Sequence, residues 1–210
     1  NFAGTQNIAN AARNAGSKLI YISSTGCYGS YSERPYCEYD DVNPTTVYHR
    51  SKVAGEECVK SICSDYLILR TGWLYGGAIT HKKNFVFNRF KEAMQVDKMV
   101  SDPFQCGNPT RVDEVADQIQ TLIDHDVCGV FNVVSEGSCT RFEYVQAIIS
   151  LCGLNTVVEK ANVPFKRLAA VSPNEAASNF LLQSMGLSVM KPWKEGLKQY
   201  IDTHILSTTD

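Results

Sequence analysis

Apolar and polar positions along this chain recur in two periods, and the changes between them outline its elements. Phe2, Thr5, Ile8, Ala9 and Ala12 fall at helical spacing and predict an amphipathic first helix. Asn14-Ala15-Gly16 should end it, because glycine closes a helix readily. Lys18 to Ser23 is a short apolar run suited to a buried strand. Gly29 to Thr46 carries Ser, Pro, Asp and Asn without periodicity and predicts a long surface loop over the strand ends. Pro44-Thr45-Thr46 then opens a helix whose buried face should carry Ala54, Cys58 and Ile62. A second strand is predicted over Tyr66 to Arg70, ending in Thr71-Gly72-Trp73-Leu74-Tyr75-Gly76-Gly77, a composition typical of a binding loop. Asn84 to Met94 predicts a helix bearing Phe85, Phe87, Phe90 and Met94, followed by a hairpin-like or irregular stretch to Pro109. Val112 to Ile123 is apolar at 112, 115, 116, 119, 122 and 123, a helical face. Gly129 to Val134 predicts a third strand, Arg141 to Cys152 and Trp193 to Ile205 predict helices, and Thr156 to Glu159 is strand-like. Alternating helices and apolar strands indicate an α/β fold with a mainly parallel sheet, the later residues forming a smaller α-rich lobe.

With 210 residues, 44% hydrophobic and 20% charged, the chain has enough material for one α/β domain or for one large domain with a small lobe. A formal net charge of -2 and no basic run leave no electrostatic footprint for nucleic acid or a membrane surface, so neither is expected as a partner. No apolar run reaches the length of a membrane span, and Asn1-Phe2-Ala3-Gly4-Thr5 has neither a basic nor a hydrophobic leader region, so a cytoplasmic setting is expected. The eight cysteines form no Cys-x-x-Cys and keep no zinc-ligand spacing with histidine, which suits reduced thiols among small core residues; disulfides in a secreted protein are the alternative. No metal cluster is evident, and His81, His125 and His204 are scattered, as surface or capping residues would be. The chain starts without Met and inside a helical face, as if cut from something longer.

Tyr48 and Lys52 stand four apart on one helix face, where an ammonium can lower the pKa of a phenol. Of the ten tyrosines only Tyr48 has such a partner. Ser24, at the end of the first strand, adds a third hydroxyl-bearing or basic group. Together they are what proton transfer to or from a carbonyl or carbinol oxygen needs beside a nicotinamide exchanging hydride. The competing reading of the pair is an exposed tyrosine with a solvated lysine. Ser24, Tyr48 and Trp73 all fall near the carboxyl ends of parallel strands, where such sheets bind ligands.

Several ordered motifs carry a resemblance. Asn1-Phe2-Ala3-Gly4-Thr5-Gln6-Asn7, Ser23-Ser24-Thr25-Gly26-Cys27-Tyr28-Gly29 and Val47 to Glu56 resemble the helix opening, catalytic strand end and Tyr-Gly-x-Ser-Lys-x-x-Gly-Glu segment of the extended short-chain dehydrogenase/reductase family. Leu69 to Gly76, Asn84-Phe85-Val86, Asp102 to Thr110 and Lys191 to Leu197 are similar to the dTDP-4-dehydrorhamnose reductase group within it. The resemblance implies a partial Rossmann-type sheet with a smaller α-rich substrate-binding lobe. Residues 1–210 would be the carboxyl-terminal part of one domain, with lobe-forming segments near 72–112 and 135–192. It implies reduction of the 4-keto group of a nucleotide-linked deoxysugar, with NADPH or NADH as cofactor and a homodimer as the candidate assembly. Tyr48 would be the general acid, Lys52 would lower its pKa and hold the nicotinamide ribose, and Ser24 would hydrogen-bond the reacting oxygen. Asn1 would join Tyr48 and Lys52 in cofactor binding, and Ser24, Thr25, Trp73, Asn84 and Gln105 would contact the sugar nucleotide. For Trp73 a packed core aromatic is the other reading.

The departures are specific. No Gly-x-x-Gly-x-x-Gly occurs, so the phosphate-binding part of the family is absent from this stretch, and the sheet should have an open edge where its strands would pair. His49 stands where the family has Gly after the tyrosine, and Val171-Ser172-Pro173 lacks the group's basic residue before a late proline. Ser24 to Tyr28 is more like the epimerase and dehydratase branches. A nucleotide-sugar 4-epimerase or dehydratase, and a non-catalytic regulatory subunit of this fold, therefore stay open beside the reductase reading.

Overall fold

The computed structural model describes residues 1–208. In chain order the elements are α1 (Phe2–Ala15), β1 (Leu19–Ser24), α2 (Val47–Ile62), β2 (Tyr66–Thr71), β3 (Leu74–Tyr75), α3 (Phe85–Ala93), β4 (Lys98–Ser101), β5 (Cys106–Gly107), β6 (Thr110–Arg111) and α4 (Val112–Asp124). They continue with β7 (Gly129–Asn132), β8 (Cys139–Thr140), α5 (Arg141–Leu151), β9 (Val157–Lys160), α6 (Phe180–Ser184) and α7 (Trp193–His204). Helix α1 closes at Gly16, whose φ of 62° is the left-handed conformation that a side chain would strain, as the sequence predicted.

Strands β1, β2 and β7 form a parallel sheet in the order β1-β2-β7, with Ser24 opposite Thr71 and Arg70 opposite Asn132 at the carboxyl ends. The continuous apolar run of β2 follows from its central place. Ile68 faces Ala9, Val59 and Cys63 of the α1–α2 layer, while Leu67 and Leu69 face Val115, Leu122 and Leu182 on the other side. Beyond the sheet a second core gathers Tyr75, Phe90, Met99, Tyr144, Ile148, Trp193, Leu197 and Tyr200 from α3, α5, α7 and the short strand pairs β3–β6, β4–β9 and β5–β8. All eight cysteines are free, and Cys27, Cys58, Cys63, Cys139 and Cys152 are buried. Among the described residues no helix is long and apolar enough to cross a membrane.

Several expectations are corrected. In α1 only Ala9 is buried, whereas Phe2 and Ile8 are 48% and 59% exposed, because α1 lies on α2 and no described element covers the flank beside the open edge of β1. The buried side of α2 runs through His49, Gly55, Glu56, Cys58 and Val59, with Ala54 and Ile62 only half-buried. The loop after Gly29 is not wholly on the surface: Tyr36 is fully buried, stacked on Tyr28 at 4.9 Å, and bridges Ala177. The stretch after α3 is not a hairpin, since β4 pairs in parallel with β9, far along the chain. Met94 is exposed, and α6 is a short helix that the periodicity did not announce.

The rotation of α2 has a cause in charge. Glu56 is fully buried and takes Arg70 in two parallel bonds, Nη2 to Oε2 at 2.7 Å and Nε to Oε1 at 3.1 Å. Ser23 Oγ also donates to Glu56 Oε1. Arg70 Nη1 donates to the Tyr28 hydroxyl at 3.1 Å, which donates to Asn132 Oδ1 at 2.7 Å. One polar network thus joins β1, α2, β2, β7 and the turn after β1. Glu56→Gln is expected to lower unfolding free energy by ~3–5 kcal/mol, as loss of one partner of a buried pair does; urea unfolding followed by circular dichroism measures it.

Candidate active site

Strand β1 delivers Ser24 at its carboxyl end. The Ser24 hydroxyl accepts from the Gly26 amide at 3.3 Å and caps a single 3-10 turn over Thr25–Cys27. Gly26 is required there: a Cβ at this position would lie well inside van der Waals contact with the imidazole of His49. The turn and the first turn of α2 therefore pack directly on each other.

Helix α2 starts at Thr46, whose hydroxyl accepts from the His49 amide at 3.0 Å. This fixes the frame in which Tyr48 and Lys52 project along one face. Tyr48 is 54% exposed. Lys52 donates from Nζ to the Ile22 carbonyl at 2.9 Å and lies over the rings of Tyr21 and Tyr48, 5.1 Å and 5.9 Å from their centroids. It has no carboxylate partner among the described residues, so two of its three N–H groups remain for a ligand. The expected lowering of the Tyr48 pKa by Lys52 is not found: burial pushes the phenol up, and burial likewise draws the lysine down. The ammonium meets the face of the ring and spends its strongest bond on β1.

Tyr48 lines a cavity of about 550 Å³ with His49, Arg50, Gln105, Arg141, Arg167 and Glu175 among its walls. Gln105 is buried, and its Oε1 accepts from Arg167 Nη2 at 3.1 Å and Arg141 Nε at 3.4 Å, so it aims two guanidinium groups. Arg141 has no ion-pair partner among the described residues; its Cζ sits 3.4 Å from the Trp73 ring centroid, and burial pushes its pKa down to about 10. A desolvated, unpaired cation in a cavity is suited to an anion.

Trp73 adjoins this cavity rather than lining it. Its indole N–H donates to Glu175 Oε2 at 2.9 Å, and its φ of 40° is unusual for a bulky residue. Arg141 already lies against the Trp73 ring, so the ring is packed, as the second reading had it, and its packing backs the cavity wall. Thr25 is buried beside Gly72 with its hydroxyl unpartnered and does not line the cavity. Asn84 is a buried cap of α3, accepting from the Phe87 amide at 3.1 Å and donating to the Tyr200 hydroxyl at 2.6 Å, which places it in the lobe core and not in the cavity. Asn1 donates to Ser51 Oγ at 2.9 Å, and Ser51 Oγ donates to the Tyr48 carbonyl at 2.7 Å, which ties α1 to the tyrosine turn. His49, Arg141, Arg167 and Glu175 lacked any local signal for a site, except that His49 departs from the resembled motif.

A family model described as the RmlD substrate binding domain matches residues 1–205. The spore coat polysaccharide biosynthesis protein SpsK of Bacillus subtilis (strain 168) is 30% identical over 190 residues, 89% of this chain and 64% of that protein. A dTDP-4-dehydrorhamnose reductase of Mycobacterium tuberculosis (strain ATCC 25618 / H37Rv) is 31% identical over 204 residues, 94% of this chain and 66% of that protein. The chain thus spans slightly less than two thirds of the length of these curated relatives. The solved structure of a dTDP-4-dehydrorhamnose reductase from Bacillus anthracis str. Ames, in complex with NADP, has a TM-score of 0.90 at 30% identity, covering 96% of this chain and 71% of that one.

Glu175→Leu removes the acceptor that holds the Trp73 indole. The expected outcome is a loss of about 1–3 kcal/mol of stability, from a buried donor left unpaired, with a shifted Trp73 emission. Both are read by urea unfolding and fluorescence in a Trp193→Phe background, where Trp73 is the sole emitter.

Proposed function

The chain belongs to the RmlD substrate binding domain family, and on that membership we propose that it is the substrate-binding and acid-supplying part of an NAD(P)H-dependent reductase of nucleotide-linked 4-keto-deoxysugars. In this reading residues 1–210 are the carboxyl-terminal part of one extended short-chain dehydrogenase/reductase domain, with 72–112 and 135–192 contributing the lobe. The observation that carries it is that Tyr48 lines the same cavity as Arg141, which has no ion-pair partner among the described residues, and Arg167. An acid for the carbonyl oxygen and cations for a diphosphate share one space.

Reduction adds a hydride to the carbonyl carbon and a proton to its oxygen. Bound reduced nicotinamide supplies the hydride; the residues of this chain manage the proton and the geometry. Tyr48, its pKa held up by burial, is protonated at neutral pH and gives its phenolic proton to the oxygen as the C=O bond becomes C–O–H. Ser24 donates a hydrogen bond to the same oxygen, and the two spare N–H groups of Lys52 fit the ribose hydroxyls next to the nicotinamide. Arg141 and Arg167, aimed by Gln105, take the diphosphate. They supply the charge missing at Ser172, whose hydroxyl is turned inward to the Gly29 and Asn174 carbonyls. Glu175 holds Trp73, and Trp73 backs Arg141.

The full-length protein should oxidise NADPH in step with dTDP-4-dehydrorhamnose supplied, and Tyr48→Phe should lower kcat by about 10²–10⁴ with dTDP affinity retained. Bound cofactor returned unchanged while the sugar is converted would point instead to an epimerase or dehydratase. Arg141→Leu is expected to weaken dTDP binding by about 1.5–3 kcal/mol in calorimetry, the worth of charge-assisted hydrogen bonds. Because the acid is the protonated phenol and its pKa is raised, kcat should stay level through neutral pH and fall only as pH climbs past the ordinary tyrosine range. A stopped-flow pH profile of the hydride-transfer step checks this.

A further inference from the structure

His49 is the departure from the resembled motif that the site geometry has not yet used. Its side chain is only 6% exposed, lines the cavity next to Tyr48, and meets the Tyr48 ring edge to face at 5.1 Å and 61°. Its Nδ1 is buried without a hydrogen-bond partner among the described residues. The Thr46 cap fixes the backbone of His49, and its imidazole occupies the space over Gly26. A polar ring held in place with unmet bonding capacity is characteristic of a ligand contact. Burial draws the imidazole pKa below its ordinary value, against the opposing pull of the Glu175 carboxylate, so the ring is neutral at neutral pH and offers one donor and one acceptor. A neutral ring matches an alcohol, whereas the guanidinium groups across the cavity match a phosphate.

We propose that His49 is a specificity residue of this site, its imidazole hydrogen-bonding a hydroxyl of the sugar next to the carbonyl that Tyr48 protonates, with Gly26 present to admit the ring. This role rests on the reductase reading above. It divides the cavity between a sugar end read by a neutral histidine and a diphosphate end held by Arg141 and Arg167.

The test compares the full-length protein with His49→Leu, His49→Gln and Gly26→Ala, using NADPH and dTDP-4-dehydrorhamnose for turnover and dTDP for binding without the sugar. His49→Leu should raise KM for the keto-sugar nucleotide about tenfold or more, as loss of a hydrogen bond to a substrate hydroxyl does, with dTDP affinity unchanged. His49→Gln, which keeps a polar group near the Nε2 position, should recover most of that loss. Gly26→Ala displaces the ring without changing it and should reproduce the leucine phenotype in a protein whose thermal melt shows it folded. An unchanged KM in a folded His49→Leu or Gly26→Ala protein overturns the assignment. So does an equal weakening of dTDP, which marks a general packing role. A wild-type protein that binds dTDP but does not oxidise NADPH overturns the reductase reading itself, and this role with it.

Discussion

The buried pairing of Glu56 with Arg70 is the constraint around which the rest of the molecule is arranged. Two opposite charges removed from water persist only when each is hydrogen-bonded to capacity, and here Ser23, Tyr28 and Asn132 complete the set. Satisfying Glu56 turns α2 about its axis, so that Lys52 reaches the Ile22 carbonyl of β1 and Tyr48 stands beside it. Satisfying Arg70 draws in Tyr28, and with it the turn that carries Ser24 and Gly26. The geometry of the candidate site is thus a by-product of electrostatic closure one layer below it.

Much of the sheet was legible because its signals are local. The apolar runs of β1 and β2, the αL glycine after α1 and the Tyr48–Lys52 spacing are each written within a few neighbouring residues. The buried face of α2 was not, since a glutamate in mid-helix ordinarily faces water and only its partner on β2 explains its burial. Strand β9 was anticipated as a strand-like run at Thr156 to Glu159, but its parallel partner β4, four residues long and far off in the chain, shows too little alternation to be recognised alone.

The candidate site was legible in its acid and not in its electrostatics. Tyr48 and Ser24 come from motifs, while the cavity that Tyr48 lines, and Ser24 does not, draws on a helix start at Arg141, Gln105 beside a short strand, and loop residues Arg167 and Glu175. No periodicity links these positions; they meet through the hydrogen bonds of Gln105 to Arg141 and Arg167 and through Trp73, which contacts Arg141 and Glu175. Asn84 shows the converse. A residue at home in a motif serves a helix cap and a lobe tyrosine, because an amide that can satisfy two neighbours is worth burying.

The left-handed backbone at Trp73 is held in place by the contacts of its own side chain. Glycine at this position would relax the chain but would open a void beside Tyr144 and Gly107, so selection for heat resistance alone would not favour it. The same exchange would remove the plate against which Arg141 rests and free Glu175 from its indole. Directed evolution for robustness and directed evolution for turnover should therefore agree on tryptophan at this one codon.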